Sequence, residues 1–373
     1  MPVDAKSLLE LTDAALAADY TRVRRAVEAM ARGLSAAGDD KTAKELRALI
    51  RKKGVPLRTS GFVETLPVDA KSRLPLIEEH TWPTSPIFLG DAAKAVFDDF
   101  VADAHHVDEL SAQGLSSRLC LLLSGPPGTG KSLLAGHIAA QLKRPFYTIR
   151  LDSVISSLLG DTAKNIRSVF DFVPAKGAVL FLDEMDAVAK LRDDRQELGE
   201  LKRVVNTVIQ GLDSLDDRSV VVGATNHAHL LDPAIWRRFP YKIEMGKPST
   251  DVRKALWEHF LFADKSTDAA ALLSRLSDDL SGADIENIAL TTLRHAVLDK
   301  REPDLASVLK AILSPDTHHR RPQRATLTTD EKRRLAREAH QKFGLNGAEI
   351  GRLLGVTRQA AAGYLKDEDV SHG

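Results

Sequence analysis

The amino-acid sequence predicts an α/β fold: a largely parallel sheet sandwiched by helices, with all-helical segments before and after it. Three observations carry that prediction. Four apolar runs, LCLLLSG, FYTIRL, AVLFLDE and SVVVGATN, alternate with helical stretches between about residues 86 and 248, and strands separated by helices pair in parallel. Several of these runs end in glycine, carboxylate or amide residues, at the strand end where such sheets hold ligands. Residues 249–314 then read as helix throughout.

The flanking elements follow in chain order. Val23, Val27, Met30 and Leu34 recur at helical spacing, and Leu8, Leu9 and Leu16, then Leu46, Leu49 and Ile50, make two further stripes. Gly33 and Gly38-Asp39-Asp40 punctuate between them. These define a helical N-terminal domain over 1–54, its stripes read as bundle core with partner docking as the alternative. Residues 55–85 hold Pro56, Pro67, Pro75 and Pro83 and read as a linker laid along a surface. The α/β domain spans 86–248 and an all-helical segment 249–314. A polar, basic linker covers 315–326, and a helical C-terminal domain covers 327–367. No internal repeat is present.

A chain of 373 residues suggests two or three domains, at roughly 150 residues each. Lys+Arg and Asp+Glu stand at 52 each, so bulk charge selects no partner and any nucleic-acid surface must be a local patch. The single cysteine, Cys120, excludes an intramolecular disulfide and reads as strand filler within Leu119–Leu123. MPVDAKSLLELTD lacks the basic-then-apolar pattern of a secretory leader. No run reaches the ~18 apolar residues of a membrane span. The expectation is a cytoplasmic protein with no membrane partner.

The first chemical element is Gly125-Pro-Pro-Gly128-Thr-Gly130-Lys131-Ser132. It fits G-x-x-x-x-G-K-[ST], follows an apolar strand and precedes a Leu/Ala-rich helix, the context this phosphate-binding loop requires. Its glycines let backbone N–H groups curl around phosphate oxygens, and the helix N-terminus adds a positive dipole end. The nucleotide-binding set is Pro127, Gly128, Thr129, Gly130, Lys131, Ser132 and Leu133. Lys131 is expected to reach the β- and γ-phosphates of ATP, and Ser132 to hold Mg²⁺.

The second element is Val179-Leu-Phe-Leu-Asp183-Glu184. Two carboxylates at a strand's carboxyl end suit metal holding by Asp183 and polarisation of the attacking water by Glu184. A solvated acidic pair is the plainer reading, and it loses because the pair follows a phosphate loop. Asp186 reads more weakly, as a cap or a contact to a neighbouring subunit. The third element, Val220-Val-Val-Gly223-Ala-Thr225-Asn226, puts Asn226 at a strand end, where it can position the lytic water. Leu231-Asp232-Pro233-Ala234-Ile235-Trp236-Arg237-Arg238-Phe239 follows.

In this order GPPGTGKS, FLDE, GATN and LDPAIWRRF resemble the AAA ATPase domain, and Ser281-Gly-Ala-Asp-Ile285 resembles the start of a helix in that family's lid. The resemblance covers roughly residues 86–314. It implies a P-loop AAA fold in which 249–314 form the helical lid, and a homo-oligomeric ring, commonly a hexamer, with nucleotide at subunit interfaces. It also implies Mg²⁺-dependent hydrolysis of ATP to ADP and phosphate. Arg237 and Arg238 match the arginine-finger position, which acts on the γ-phosphate of the next subunit; a solvated surface pair is the alternative. Gly282 and Ala283 would line the nucleotide.

Ser157-Leu158-Leu159-Gly160 occupies the place of the pore loop of AAA translocases. Leu158 stands where those enzymes carry an aromatic ring, and Leu offers less apolar area for gripping a substrate. Gentle remodelling of one partner fits Leu158, Leu159 and Gly160 better than processive unfolding; an ordinary loop with buried leucines is the other reading. SSLLGDTAKNIRSVFD and AIWRRF are similar to the small bacterial AAA ATPases. Members of that group often accompany a subtilisin-like protease, which the resemblance therefore implies as a partner.

The C-terminal segment reads as a helix-turn-helix. Asn346 with Glu349 fits a capping box, Ile350, Leu353 and Leu354 form an apolar face, Gly355 permits a tight turn and Val356 plugs the core. Thr357, Arg358 and Gln359 open the second helix, where base edges are reached. Arg320, Arg321, Arg324, Lys332, Arg333, Arg334, Arg337 and Lys342 offer charge for DNA phosphates. Ala360-Ala361-Ala362-Gly363 leaves few side chains to read bases, so a protein dock and plain packing stay open. His105-His106 and His318-His319 lack metal-ligand spacing, and no protease elbow is present.

The leading functional reading is an ATP-hydrolysing ring that remodels or regulates a partner protein, with DNA localisation through the tail. The alternative is a DNA-directed ATPase. A repressor that uses nucleotide only as a switch fits less well with Glu184 and the arginine pair.

Overall fold

The computed structural model describes residues 66–69, 75–151, 162–187, 198–314, 320–322, 324 and 327–366, with scattered residues between 12 and 46. The chain divides into two compact units, Met1–Thr65 and Leu66–Gly373. In the first, residues 29–31, 33–35 and 41–44 are helical, with Val27, Met30 and Leu34 half-buried and Ala31 and Ala43 fully buried. Gly33 lies in a helical turn instead of between helices. Asp39 makes the break, its carboxylate accepting the Thr42 N–H at 3.2 Å. Leu8, Leu9, Leu16, Val23, Leu49 and Ile50 lie outside the described residues, and Leu46 is helical and half-buried.

In the second unit the elements run β1 (Glu78–His80), α1 (Asp91–His105), α2 (Val107–Ala112), β2 (Cys120–Ser124), α3 (Lys131–Gln141), β3 (Phe146–Arg150) and α4 (Thr162–Ala175). β4 (Val179–Asp183), α5 (Leu198–Ser214), β5 (Val220–Thr225), α6 (Pro233–Trp236) and β6 (Tyr241–Glu244) complete the α/β part. The described strands form a six-stranded sheet in the order β1-β3-β4-β5-β2-β6. β3, β4, β5, β2 and β6 pair in parallel, and β1 pairs antiparallel with β3. The sheet is therefore largely parallel, as the sequence predicted, and β1 makes it mixed by adding one antiparallel edge strand. The extra strand comes from the stretch read as a linker: its side chains are all exposed, so it shows no apolar alternation.

β2, β4 and β5 are buried on both faces, which explains their unbroken apolar runs. Two cores result. Leu122, Ile149, Leu180, Val221 and Phe239 pack on one face with α4 and α5. Leu121, Leu123, Phe181, Val222 and Ile243 pack on the other with α1 and α3. Gly223 belongs to the packing: a Cβ there would lie 2.4 Å from the Met185 sulfur.

The remaining helices are α7 (Thr250–Phe262), α8 (Asp268–Leu276), α9 (Gly282–Asp299), α10 (Leu305–Leu313), α11 (Thr329–Phe343), α12 (Gly347–Leu354) and α13 (Arg358–Lys366). Their starts follow local chemistry. Ser281 and Asp284, Thr328 and Glu331, and Asn346 and Glu349 each form a capping box. Gly355 ends α12 at φ 64°.

α7–α13 share one hydrophobic core. Trp257, Leu273, Ile288, Leu309 and Ile312 pack together with Leu335, Ala339, Ile350, Leu354 and Ala361. The segment read as a second linker is partly tied down as well. The Arg320 side chain is 9% exposed and pairs with Asp279 at 2.6 Å, while Arg324 donates to Asp299 at 2.8 Å.

Candidate functional site

Parallel pairing brings the carboxyl ends of β2, β5 and β4 side by side: Ser124 is in register with Thr225, and Leu182 with Gly223. The turns that leave these strands are tied to one another. The Gly125 N–H donates to Thr225 O at 3.2 Å, the Met185 N–H to Ala224 O at 2.9 Å, and the Met245 N–H to Ser124 O at 2.7 Å. The phosphate loop, Asp183-Glu184 and Asn226 therefore share one edge of the sheet.

The loop's conformation requires its glycines. Gly125, Gly128 and Gly130 have φ of 145°, 77° and 94°, where L side chains are strained. A Cβ on Gly125 would lie 2.0 Å from Met245 O. Gly130 caps α3, so the helix begins at Lys131 with its first N–H groups facing the loop. Pro127 and Gly128 are exposed, Thr129 is half-buried with its hydroxyl on Pro126 O at 2.9 Å, Ser132 is exposed and Leu133 is half-buried. Lys131 is buried, and its ammonium donates to Gly125 O and Pro126 O, each at 2.8 Å. Burial lowers its pKa, and the nearby Asp183 and Asp186 carboxylates partly offset that.

Glu184 has φ 54°, a left-handed conformation uncommon for a residue other than glycine. Strain of this kind gathers at functional sites. The Asp183 carboxylate accepts the Glu184 N–H at 2.9 Å. Arg150, in register with Asp183, holds its guanidinium 4.0 Å from the Glu184 carboxylate. Asn226 is half-buried at the end of β5. The start of α9 meets the loop: the Ala283 N–H donates to Gly128 O at 3.1 Å. A Cβ on Gly128 would lie 3.0 Å from Ser281 Oγ and 3.3 Å from Ala283 Cβ. Gly282 and Ala283 are thus brought to the loop.

The two adjacent arginines differ. Arg238 donates to Asp213 through Nε at 3.2 Å and through a terminal nitrogen at 2.9 Å, and to Ala234 O at 2.8 Å. Arg118 joins the same carboxylate at 2.7 Å. The two guanidiniums hold Asp213 below the usual carboxylate range. Arg237 is exposed and makes no ion pair among the described residues. Asp213 and Arg150 carried no sequence signal, since each matters only through a partner on another element.

Leu158, Leu159 and Gly160 lie outside the described residues. At the C-terminus, Thr357, Arg358 and Gln359 are exposed at the start of α13, with Thr357 Oγ accepting the Ala360 N–H at 3.2 Å. The basic set offered for DNA phosphates is thinner than the sequence suggested. Arg320 and Arg324 pair with Asp279 and Asp299, and Arg337 donates to Tyr364 O at 3.1 Å. Among the described residues no helix is long and apolar enough to cross a membrane.

Comparison with known proteins agrees with this arrangement. The family model for "ATPase family associated with various cellular activities (AAA)" matches residues 121–247. The uncharacterised AAA family ATPase y4kL of Sinorhizobium fredii is 34% identical over 270 residues, covering 71% of this chain and 77% of that protein. The ATP-dependent zinc metalloprotease FtsH 3 of Sphaerobacter thermophilus is 32% identical, over 67% of this chain and 54% of its own length. The 26S protease regulatory subunit 6A of Caenorhabditis elegans is 31% identical, over 61% and 56%. The chain thus spans little more than half the length of these last two. The crystal structure of the FIGL-1 AAA domain in complex with ADP superposes with a TM-score of 0.50 at 25% identity, covering 60% of this chain and 77% of that one. The fold and the site define a nucleotide-hydrolysing P-loop protein. The chain belongs to the AAA ATPase family, and it hydrolyses ATP.

Proposed function

We propose that this chain assembles into a ring, a hexamer by the family's habit, that spends ATP on remodelling or regulating a partner protein. The observation that supports the reading is the exposure of Arg237, which makes no ion pair among the described residues. The phosphate loop, Asp183-Glu184 and Asn226 meet at one sheet edge, while the exposed Arg237 faces outward and suits a neighbour's γ-phosphate. Arg238, held by Asp213, anchors the turn that presents Arg237. The relatives named above include a protease regulatory subunit and an ATP-dependent protease, which supports protein as the substrate and leaves a subtilisin-like protease as one candidate partner.

In this reading Pro127–Leu133 cradle the phosphates, and Gly282 and Ala283 close over the nucleotide from the lid. Lys131 moves from the loop carbonyls to the β- and γ-phosphates. The Ser132 hydroxyl and the Asp183 carboxylate are hard oxygen donors that fit Mg²⁺; those two residues would hold it, and it would neutralise phosphate charge. Asn226 orients a water and Glu184 takes its proton as the oxygen attacks the γ-phosphorus and the bond to ADP breaks. Leu158, Leu159 and Gly160 supply a modest grip on the partner.

The exposed Thr357, Arg358 and Gln359 favour a second reading, a DNA-directed ATPase. ATPase rates at fixed low salt, with and without duplex and single-stranded DNA, separate the two, with Glu184→Gln as the inactive control. Turnover indifferent to DNA is expected. A large stimulation that disappears in Arg358→Ala/Gln359→Ala would replace the protein reading with the DNA one.

A further inference from the structure

Asp186 has no part in the scheme above, yet it is a carboxylate only 2% exposed beside the nucleotide loop. Burying such a group is costly unless its hydrogen bonds are made. One Asp186 oxygen accepts from the Thr225 hydroxyl and from the Asn226 N–H, each at 3.2 Å. The Thr225 hydroxyl in turn accepts the His227 N–H at 3.1 Å. Three successive residues at the end of β5 are thus fixed to the turn that begins with Asp183 and Glu184.

We infer that Asp186 is a positioning residue for hydrolysis: it sets Asn226 in register with Glu184, so that the groups that orient and deprotonate the water are fixed by one carboxylate. The inference rests on the assignment of Asn226 to the lytic water. Asp186 also lies in the field of Lys131, which offers a rival role in nucleotide binding, and the two roles move different constants. A double-mutant cycle on the full-length protein tests the link. Asp186→Ala is expected to lower kcat on the order of 10- to 100-fold, the scale of a small misplacement, with KM for ATP little changed. Asp186→Asn, which keeps an acceptor oxygen, should restore most of the rate. In an Asn226→Ala background, Asp186→Ala should cost nothing further. Should Asp186→Ala not fold, Thr225→Val removes the hydroxyl in the same relay and enters the cycle in its place. A rise in KM at constant kcat, or losses that add, would overturn the inference. Full activity in Asn226→Ala alone would instead sink the assignment of Asn226 on which it rests.

The shared core of α7–α13 independently carries a second inference. Ion pairs cross from lid to tail: Arg275 to Glu349 at 2.9 Å, Arg352 to Asp268 at 2.8 Å and Lys310 to Glu331 at 2.8 Å. At its other end the lid is bonded to the phosphate loop through Ala283 and Gly128. The geometry points to a tail carried on the lid as one body, so that the surface at Thr357–Gln359 is linked to the nucleotide. A ligand there that favoured one lid position would alter nucleotide affinity by the same factor by which nucleotide alters the affinity for that ligand.

Spin labels at the exposed positions Gln341, Asn287 and Ser111, placed pairwise as cysteines in a Cys120→Ala background, report tail, lid and α/β body. Labelled subunits are diluted into an excess of unlabelled ones and compared without nucleotide, with ADP, and with ATP in Glu184→Gln. The tail–lid distance should stay narrow and constant while the tail–body and lid–body distances shift together. A tail–lid distance that broadens or moves with nucleotide, or a lid–body distance identical in all three states, would overturn the linkage.

Discussion

At the scale of single residues, two neighbouring arginines have different surroundings because of one acid. Arg238 is clasped by Asp213 and by the Ala234 carbonyl, while Arg237 is exposed. Arg237→Ala should therefore leave the thermal midpoint unchanged and reduce kcat by 10³-fold or more, the scale of a missing arginine finger. Arg238→Ala should lower the midpoint, and Asp213→Ala should reproduce that loss. Calorimetry and steady-state kinetics on the three variants check the division. The sequence singled out both arginines together, because the motif is local. It left them indistinguishable, because the acid that separates them sits 25 positions away on α5. The phosphate loop shows the opposite case. Its glycines, Lys131 and Ser132 are contiguous, so most of what shapes that part of the site was legible from spacing.

At the scale of elements, the helix starts were legible and the edge strand was not. Asn346 and Glu349 make the capping box their spacing suggests, and Gly355 makes the turn. A short edge strand with three exposed side chains leaves no such trace. Glu331 extends the same chemistry into packing. It caps α11 through Thr328 and pairs with Lys310 on α10. The Lys310 ammonium first, then the Thr328 hydrogen bonds, hold its carboxyl down at about 2, against an ordinary value of 4.5. The folded state thus binds this proton less readily than the unfolded one. The pair's contribution is complete above pH 4.5 and is lost as pH falls from there through about 2. Glu331→Gln should flatten the dependence of the thermal midpoint on pH over that window, and should change nothing in it near neutrality beyond a constant offset.

At the scale of the whole molecule, α11–α13 extend the core of α7–α10. Leu309, Ile312 and Leu313 on α10 lie in one core with Leu335, Ile350 and Leu354. A chain cut after Ser314 would expose that face of α10. Each buried leucine or isoleucine uncovered costs about 1.5–3 kcal/mol of burial, so the truncated protein should melt at lower temperature and tend to aggregate. An unchanged melting curve would contradict the shared core. The sequence showed the tail's own apolar face but not its neighbour, since periodicity marks which face of a helix is buried and not which helix covers it.

The central claim is that hydrolysis is completed by Arg237 of an adjoining copy. The most direct measurement mixes two full-length variants, Glu184→Gln and Arg237→Ala, each nearly inactive alone, and follows ATP turnover against their ratio. An Arg237→Ala subunit keeps its own Glu184 and can borrow Arg237 from a Glu184→Gln neighbour. Turnover should therefore appear on mixing and peak at intermediate ratios. No recovery at any ratio, with both variants shown to co-assemble, would place the arginine's action within one chain and contradict the account.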